Sequence, residues 1–502
     1  MPHVSFGERR FEADVDYVVV GSGAGGAAAA VVLARAGAKV ALVEAGAWRE
    51  PEQYPSSAYG AMRDLMDDWG ATVTMGRALW PVVQARTMGG TTVVNSAIAI
   101  RTPADIFTQW EREHGVGGEG LREQVWAEQA VLERELCVEE VPVGSRGRSN
   151  ELAMKGAEAM GFESHWIRRY AKGCEGTGQC LQGCRKRKKQ STNVVWVPEV
   201  MERGGLVLSC APVSRVVLEG RRAVGVEGRF QHPATRELGA SFLVRAARGV
   251  VVAASVTHSP VLLMRSGVKS RALGQFFRAH PGTGVFGVYD EPVDQNVGAT
   301  QGWASTHYRE TPGLKLETLS IPLELVASRF SGGGVELMKR LGQYRHVAMW
   351  CHAVRADSTG TISHGPFSSK PIVRYTLNAD DMERFRQGMY LLGQMHFAAG
   401  ARAIIPGIAG LPFELEAKDV EALRSGPTDP RRYIAILSHL FGGCVMGADP
   451  TRSVVDGDGR VHGYEGLVVA DASVIPTNLG VNPQHTIMAL ARLFANAMLA
   501  RA

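Results

Sequence analysis

Residues 15–46 run VDYVVV, then GSGAGG, then AAAAVVLARAG, then KVALVEAG. Strand, glycine turn, helix and strand in this compass form the βαβ unit that opens a doubly wound parallel sheet. Gly21, Gly23 and Gly26 have the spacing G-x-G-x-x-G. The first glycine permits the tight turn, the second lets the backbone approach a pyrophosphate, and the third lets helix pack on strand. Ala24 opens the helix, whose first N–H groups face an anion. Glu44 ends the second strand, 23 positions after Gly21, with Ala45 beside it. A carboxylate there accepts hydrogen bonds from ribose hydroxyls and repels a 2′-phosphate. The set predicts a dinucleotide site; the turn alone does not choose between NAD and FAD.

Residues 17–34 carry no charge and could be misread as a leader or a membrane span. The preceding segment holds Glu12, Asp14 and Asp16 where a leader would be basic, and glycines interrupt the run. The expectation is a protein without a transmembrane segment, retained in the cytoplasm. A chain of 502 residues that is 45% hydrophobic and 21% charged has ample material for a core, which excludes a mainly disordered or fibrous polymer. Its net charge of +5 is small for this length and gives no argument for nucleic acid.

Beyond the first unit, residues 52–88 read as loops and short helices, and 103–136 as amphipathic helix. Strand patterns return over 194–270, in VVWV, LVLSCA, VSRVVLEG, AVGVEGRF and SFLVRAARGVVVAA. Alternation within 284–375, as in VFGVYD and HVAMWCHAV, predicts an antiparallel sheet. Residues 379–399 read as helix, and 466–501 as strand, loop and helix. The expected fold class is α/β, a Rossmann-like doubly wound domain joined to an α+β domain with an antiparallel sheet.

Three further segments carry chemistry: MGGTTVVNSAIAI at 88–100, HLFGGCVMG at 439–447, and DGDGRVHGYEGLVVADASVIPTNLGVNPQHT at 456–486. With the glycine turn, and in this order, they resemble the glucose-methanol-choline (GMC) oxidoreductase family of FAD enzymes. The branch resembled is that of bacterial alcohol dehydrogenases and long-chain alcohol oxidases. The likeness spans residues 15–500. It implies a discontinuous FAD-binding domain of 10–105, 190–270 and 430–502, a helical and cysteine-loop insertion at 106–189, and a substrate-binding domain at 271–429. It also implies cofactor contacts at Gly89, Gly90 and Asn95, at the Val213 backbone facing adenine, at Ala254 and Asp471, and at Pro483. Gly89 and Gly90 would pass close to the planar ring. Some relatives bond flavin covalently through a histidine in this loop; the matching residue here is Val94, so non-covalent FAD is expected. Ser255 stands where relatives have glycine, and Gly443 where threonine is common.

The resemblance further implies oxidation of an alcohol to an aldehyde or ketone, with hydride transfer to flavin N5. His439 is then the general base, since neutral imidazole takes a proton near neutral pH. Asn482 would donate to the developing alkoxide. Pro483 suits the first helical position, and that helix N-terminus would face the reduced flavin. His485, close by, is expected to support the site, and His280 to open the substrate lobe in a structural role. Trp303, Phe330 and Trp350 suggest an apolar pocket for a hydrophobic alcohol. The electron acceptor, oxygen or a redox protein or quinone, is left open. The same scaffold hosts lyases and a decarboxylase, and the glycine turn also fits a nicotinamide-dependent dehydrogenase.

Seven cysteines are scattered except for Cys174, Cys180 and Cys184. They lack a fourth local ligand for zinc, and no metal ligand is assigned elsewhere. The loop is similar to one that holds an iron–sulfur cluster in certain bacterial flavin dehydrogenases, so three alternatives stand: a cluster, free thiols or a disulfide. The adjoining basic run Arg185–Lys189 is either a solvated loop or a docking patch for an acidic electron acceptor.

Overall fold

The computed structural model describes residues 3–7 and 9–501; residue 502, which closes the expected FAD-binding segment, lies outside them. The opening unit is strand Phe11–Val20, helix Ala24–Arg35 and strand Val40–Val43. Tyr17–Val20 pair in parallel with Val40–Val43. Both runs are buried throughout, which is why they read as continuous apolar stretches without alternation.

Around this unit lies an eight-stranded sheet in the order His3–Val4, Leu206–Leu208, Val40–Val43, Phe11–Val20, Leu238–Val252, Arg222–Gln231, Val213–Glu219. Strand Leu467–Val469 pairs in parallel with Val250–Val252. The strand Leu238–Val252 thus changes partners along its length: its first part pairs antiparallel with Arg222–Gln231, its last with Leu467–Val469. The break falls at the bulge between Ala246 and Gly249, where Gly249 has φ +157° and a Cβ would come within 2.7 Å of the Gly466 carbonyl. Helix Ala24–Arg35 packs against the C-terminal helix Gln484–Leu499 and against helix Thr192–Glu202. Its alanines leave room for both.

The second large sheet has seven strands, all antiparallel. Arg278–Val288 pairs with Val347–Val354 on one side and with Ala403–Ile405 and Ile436–Phe441 on the other. Leu314–Thr318, Trp303–Ser305 and His165–Trp166 follow beyond Val347–Val354. Helix Ala379–Ala398 packs against it. Two segments reach this sheet from outside the span 271–429: His165–Trp166 as an edge strand, and Ile436–Phe441 alongside the first part of Arg278–Val288. Among the described residues, no helix is long and apolar enough to cross a membrane.

Two local expectations fail. VVWV lies not in a strand but in helix Thr192–Glu202, with Trp196, Val197 and Val200 buried. Its β-branched residues favour a strand locally, and packing against helix Ala24–Arg35 overrides them. The stretch 103–136 forms two helices, Ala104–His114 and Gly118–Glu135. Gly115 and Gly117, with φ +66° and +131°, end the first and turn into the second.

Ser255, in the position that relatives fill with glycine, holds φ +92°. A side chain there is strained by roughly 1–3 kcal/mol. Its backbone N–H, which donates to Asp471 Oδ2 at 3.0 Å, needs no side chain. Ser255→Gly is therefore expected to stabilise the protein by about 1 kcal/mol, net of the glycine's entropy. A urea unfolding midpoint that stays level or falls would contradict this account of the backbone.

Candidate functional site

The parallel strands Phe11–Val20, Val40–Val43, Leu206–Leu208, Leu238–Val252 and Leu467–Val469 end at one edge of the first sheet, where an α/β fold binds its ligand. The loops that leave this edge carry Gly21–Gly26, Glu44–Ala45, Ala253–Ser255 and Ala470–Asp471. They pack backbone to backbone. A Cβ at Gly21 would lie 2.2 Å from the Ala253 carbonyl oxygen, and one at Gly26 would lie 1.9 Å from that of Gly21. Gly25, which the motif does not single out, is held as tightly: its Cβ would meet the Ala470 carbonyl oxygen at 1.8 Å. Gly23 differs, since a Cβ there would find nothing nearer than the Gly90 Cα at 3.9 Å. Helix Ala24–Arg35 begins at Gly23 with no side-chain cap and no acidic residue in its first turn. Its N–H donors thus remain for an anion beside an open glycine, and these residues fit the pyrophosphate of FAD.

Glu44 is 7% exposed and is fixed by three donors: Ser22 N–H at 2.9 Å, Ser22 Oγ at 2.7 Å and Gly46 N–H at 2.8 Å. Ala45 accepts from Arg86 Nε at 3.4 Å. Gly89 donates to Ser22 Oγ at 2.8 Å, and a Cβ on Gly90 would lie 2.8 Å from Gly23 Cα. The close approach that Gly90 permits is therefore to the phosphate turn itself, while a Cβ on Gly89 would meet Asn193 Oδ1 at 2.7 Å. Asn95 links its loop to the C-terminal helix, with Nδ2 donating to Gln484 Oε1 at 2.5 Å and Oδ1 accepting from Ala97 N–H at 2.9 Å. Val213 opens its strand half-buried, and Ala254 N–H donates to Ser259 Oγ at 2.9 Å. Asp471 accepts from Ser255, Ser259 and Ser473, tying two of the crevice loops together. Burial raises its carboxyl above the usual range, against those hydrogen bonds.

The antiparallel sheet delivers the catalytic candidates. Register places His280 of Arg278–Val288 directly opposite His439 of Ile436–Phe441. Their Nδ1 atoms lie 3.0 Å apart. His439 Nε2 lies 3.1 Å from Asn482 Nδ2, just ahead of the C-terminal helix. Lys315 donates to Asn482 Oδ1 and to Glu317, and Gln301 Nε2 donates to Glu317 Oε2 at 2.6 Å. Lysine has no acceptor, so it fixes which way the Asn482 amide points. The amide N–H must then face His439, whose Nε2 accepts. His439 in its neutral form therefore carries its proton on Nδ1 and donates it to His280.

Burial lowers the His439 pKa to about 4, with Glu317 opposing and Lys315 adding. His280 is pushed well below its ordinary value by burial, then by His439 and Lys315. Both rings are neutral at physiological pH. Burial, the largest single influence, pushes Glu317 up, but the charge of Lys315, His439 and the Lys315 and Gln301 hydrogen bonds together outweigh it and hold the carboxyl low. The loop before Asn482 is strapped to both halves of the molecule. Asn478 Nδ2 donates to Ala279 O at 2.8 Å, while Arg309 donates to Leu479 O at 3.1 and 2.9 Å and pairs with Asp105 at 2.9 Å.

Several expectations change here. His280 touches the proposed base itself rather than standing apart in a structural role. Lys315 and Glu317 went unread, although a lysine and a glutamate two apart share one face of a strand, and LKLET has no exposed face. Pro483 precedes the first residue of the C-terminal helix, Gln484, but already has helical dihedrals and accepts from Ile487 N–H at 2.9 Å. His485 is fully buried, with one ring nitrogen against Tyr170 and the other toward Glu133. Trp350 stacks on His396 at 3.7 Å, Phe330 packs edge-on against Phe286, and Trp303 is fully buried. All three are core residues and give no support to an apolar pocket. Gly443 holds φ +93°, and its Cβ would come 2.8 Å from Pro260 Cγ, so this backbone requires glycine where relatives have threonine.

The cysteine loop needs a correction too. All seven cysteines are free. Among the described residues no group of three ligating side chains could hold a metal ion. The Arg169 guanidinium lies against the sulfurs of Cys174 and Cys180, where a cluster would need iron. The iron–sulfur alternative is therefore not supported, and the three thiols are reduced in this structure.

A family model described as GMC oxidoreductase matches residues 15–282, and a second of the same description matches 356–491. An uncharacterized GMC-type oxidoreductase of Mycobacterium tuberculosis is 33% identical over 489 residues, covering 97% of this chain and 76% of that protein. A long-chain-alcohol oxidase of Arabidopsis thaliana is 27% identical over 97% of this chain and 67% of its own length. Among solved structures, pyridoxine 4-oxidase from Mesorbium loti shares the fold with a TM-score of 0.73 at 18% identity, covering 96% of this chain and 98% of that one. A formate oxidase of Aspergillus oryzae does so with a TM-score of 0.73 at 17% identity, covering 97% and 98%. The matches reach across both sheets and all the crevice loops, and the chain belongs to the GMC oxidoreductase family, flavoprotein oxidoreductases that act on CH–OH donors.

Proposed function

We propose that this protein oxidises a small-molecule alcohol to its aldehyde or ketone, with His439 as general base and Asn482 as the donor that holds the substrate oxygen. The observation that carries this reading is the neutral His439–Asn482 pair at 3.1 Å, built from both halves of the molecule. Gly21, Gly23, Ala24, Gly26, Glu44, Ala45, Gly89, Gly90, Asn95, Val213, Ala254, Asp471 and Pro483 are the proposed contacts for FAD. Bound there without a covalent link, since Val94 offers no nucleophile, FAD supplies the acceptor for the hydride from the carbinol carbon.

The substrate hydroxyl takes the place of the Asn482 N–H at His439 Nε2, which then accepts the hydroxyl proton. The Asn482 amide N–H donates to the oxygen as its charge grows. His280 accepts from His439 Nδ1–H, which keeps the basic lone pair on Nε2 and steadies the imidazolium once formed. Lys315 holds Asn482 by its carbonyl, so the amide stays in the donating orientation. The long-chain-alcohol oxidase relatives support long-chain alcohols as the first substrates to try.

His439→Ala should slow flavin bleaching by an anaerobic alcohol by about a hundredfold or more, with the absorbance of bound FAD retained. Unchanged turnover would remove His439 as the base. Failure of any alcohol to bleach the wild-type flavin would point instead to lyase or decarboxylase chemistry on this scaffold.

The base works only when deprotonated. kcat/KM should therefore hold level through neutral pH and fall as the pH drops toward about 4, the lowered value of His439. A limb near the ordinary histidine value would contradict its burial.

Removing Lys315 alone strands a buried carboxylate at a cost of about 3–5 kcal/mol, so both charges should be removed together. Lys315→Met with Glu317→Gln is expected to lower kcat about tenfold or more through loss of Asn482 orientation, with KM little changed. A double variant with wild-type kcat would show that the amide needs no such hold.

A further inference from the structure

Arg169 and Lys189 are buried cations, 2% and 3% exposed, on either side of the cysteine loop. The one carboxylate of that loop, Glu175, is engaged by Lys186 and Lys188 at 3.8 and 3.2 Å. What faces the Arg169 guanidinium instead is sulfur: Nη2 donates to Cys180 Sγ at 2.9 Å and Nη1 to Cys174 Sγ at 3.5 Å. Lys189 Nζ donates to the Cys180 carbonyl at 3.0 Å. Buried charge has to be compensated, and an ionised Cys180 is the compensating group at hand. Cys174, Cys180 and Cys184 are all free and half-buried, and they line one small cavity with Lys186 and Lys188.

We propose that Cys180 and Cys174 form a peroxide-reactive dithiol, Cys180 as the attacking thiolate and Cys174 as the resolving thiol. The Cys180 thiolate attacks one oxygen of a hydroperoxide. The O–O bond breaks, the leaving oxygen takes up the proton that the thiol had released, and Cys180 becomes a sulfenic acid. Cys174 then gives up its proton, its sulfur bonds to that of Cys180, and the S–O bond breaks with loss of water. Two thiols and hydrogen peroxide yield one disulfide and two waters; the sulfurs lose two electrons and the peroxide gains them. Both sulfurs sit on the terminal nitrogens of one guanidinium, so the second step needs only a local movement. Burial raises the Cys180 thiol, but Arg169 and Lys189 outweigh it and leave it at about 7, a value at which attack on peroxide is efficient at neutral pH. The same two cations hold the loop that carries Asn95. Arg169 Nε donates to Ser96 O at 2.9 Å, and Lys189 Nζ to Val93 O and Asn95 O at 2.6 Å each.

The test treats the FAD-loaded protein with stoichiometric hydrogen peroxide, blocks the remaining thiols with iodoacetamide and maps the tryptic peptide spanning residues 173–185. The expected product has lost two hydrogens and carries its single alkyl group on Cys184. Cys174→Ser should stop at a sulfenic acid on Cys180 that dimedone traps, and Cys184→Ser should still form the disulfide. Because Cys180→Ser could unfold, the thiolate is tested in the wild-type protein, where Cys180 should alkylate at neutral pH at least tenfold faster than the half-buried Cys137. Alkylation of Cys180 at the Cys137 rate, a disulfide that includes Cys184, or iron held by the three thiols in the purified protein would each overturn the proposal.

Discussion

Backbone meets backbone at the carboxyl edge of the parallel sheet, with no space for side chains between. The turn at Gly21–Gly26 presses on the carbonyls of Ala253 and Ala470, which arrive from strands more than two hundred residues away in sequence. A methyl group at Gly21, Gly25 or Gly26 would fall within 2.2 Å of a carbonyl oxygen. Such overlap cannot be relieved by turning a side chain, so the strands would have to separate. Everything that faces the crevice inherits its position from this contact. Glu44 is set by Ser22, Gly89 by the same serine, and Asp471 by the serines that follow Ala253. The glycines thus matter less for flexibility than for thinness.

The catalytic candidates depend on a second arrangement, a chain of polar groups crossing from one half of the molecule to the other. Its members come from strands Arg278–Val288, Leu314–Thr318 and Ile436–Phe441 and from the start of the C-terminal helix. Each constrains the next. Lysine can only donate, so the amide is oriented; the amide donates, so one imidazole nitrogen accepts; the other nitrogen then carries the proton and passes it toward His280. A buried ammonium is costly by itself, and the adjoining carboxylate makes it tolerable. The result is a defined tautomer on His439, obtained without placing a carboxylate against the ring.

What could be read from the chain and what could not divide along physical lines. The glycine turn, the acid after it and the helix that opens at Pro483 are local patterns, and local patterns survive in a single sequence. His439 and Asn482 could be named because short motifs surround them. His280 and Lys315 reach the site only through strand register, which no window of neighbouring residues reports. VVWV looked like strand because β-branched residues favour one, and a helix partner elsewhere decided otherwise. The three aromatics offered for the pocket illustrate the same limit: hydrophobicity marks burial without saying whether core or ligand does the burying. The cysteines were legible as a cluster, but the guanidinium between two of them comes from Arg169, on a strand outside the loop.

The straps around residues 478–482 bear on how a reactant could get in. Asn478 grips the backbone beside His280, and Arg309 spans from Leu479 to Asp105. Swinging the two halves apart like a clamshell would strip buried carbonyls of their donors, at about 1–3 kcal/mol for each group left unsatisfied. Entry by such a hinge is disfavoured at this seam. A reactant must therefore come and go with both straps in place, and the spacing of His439 and Asn482 is kept through every turnover.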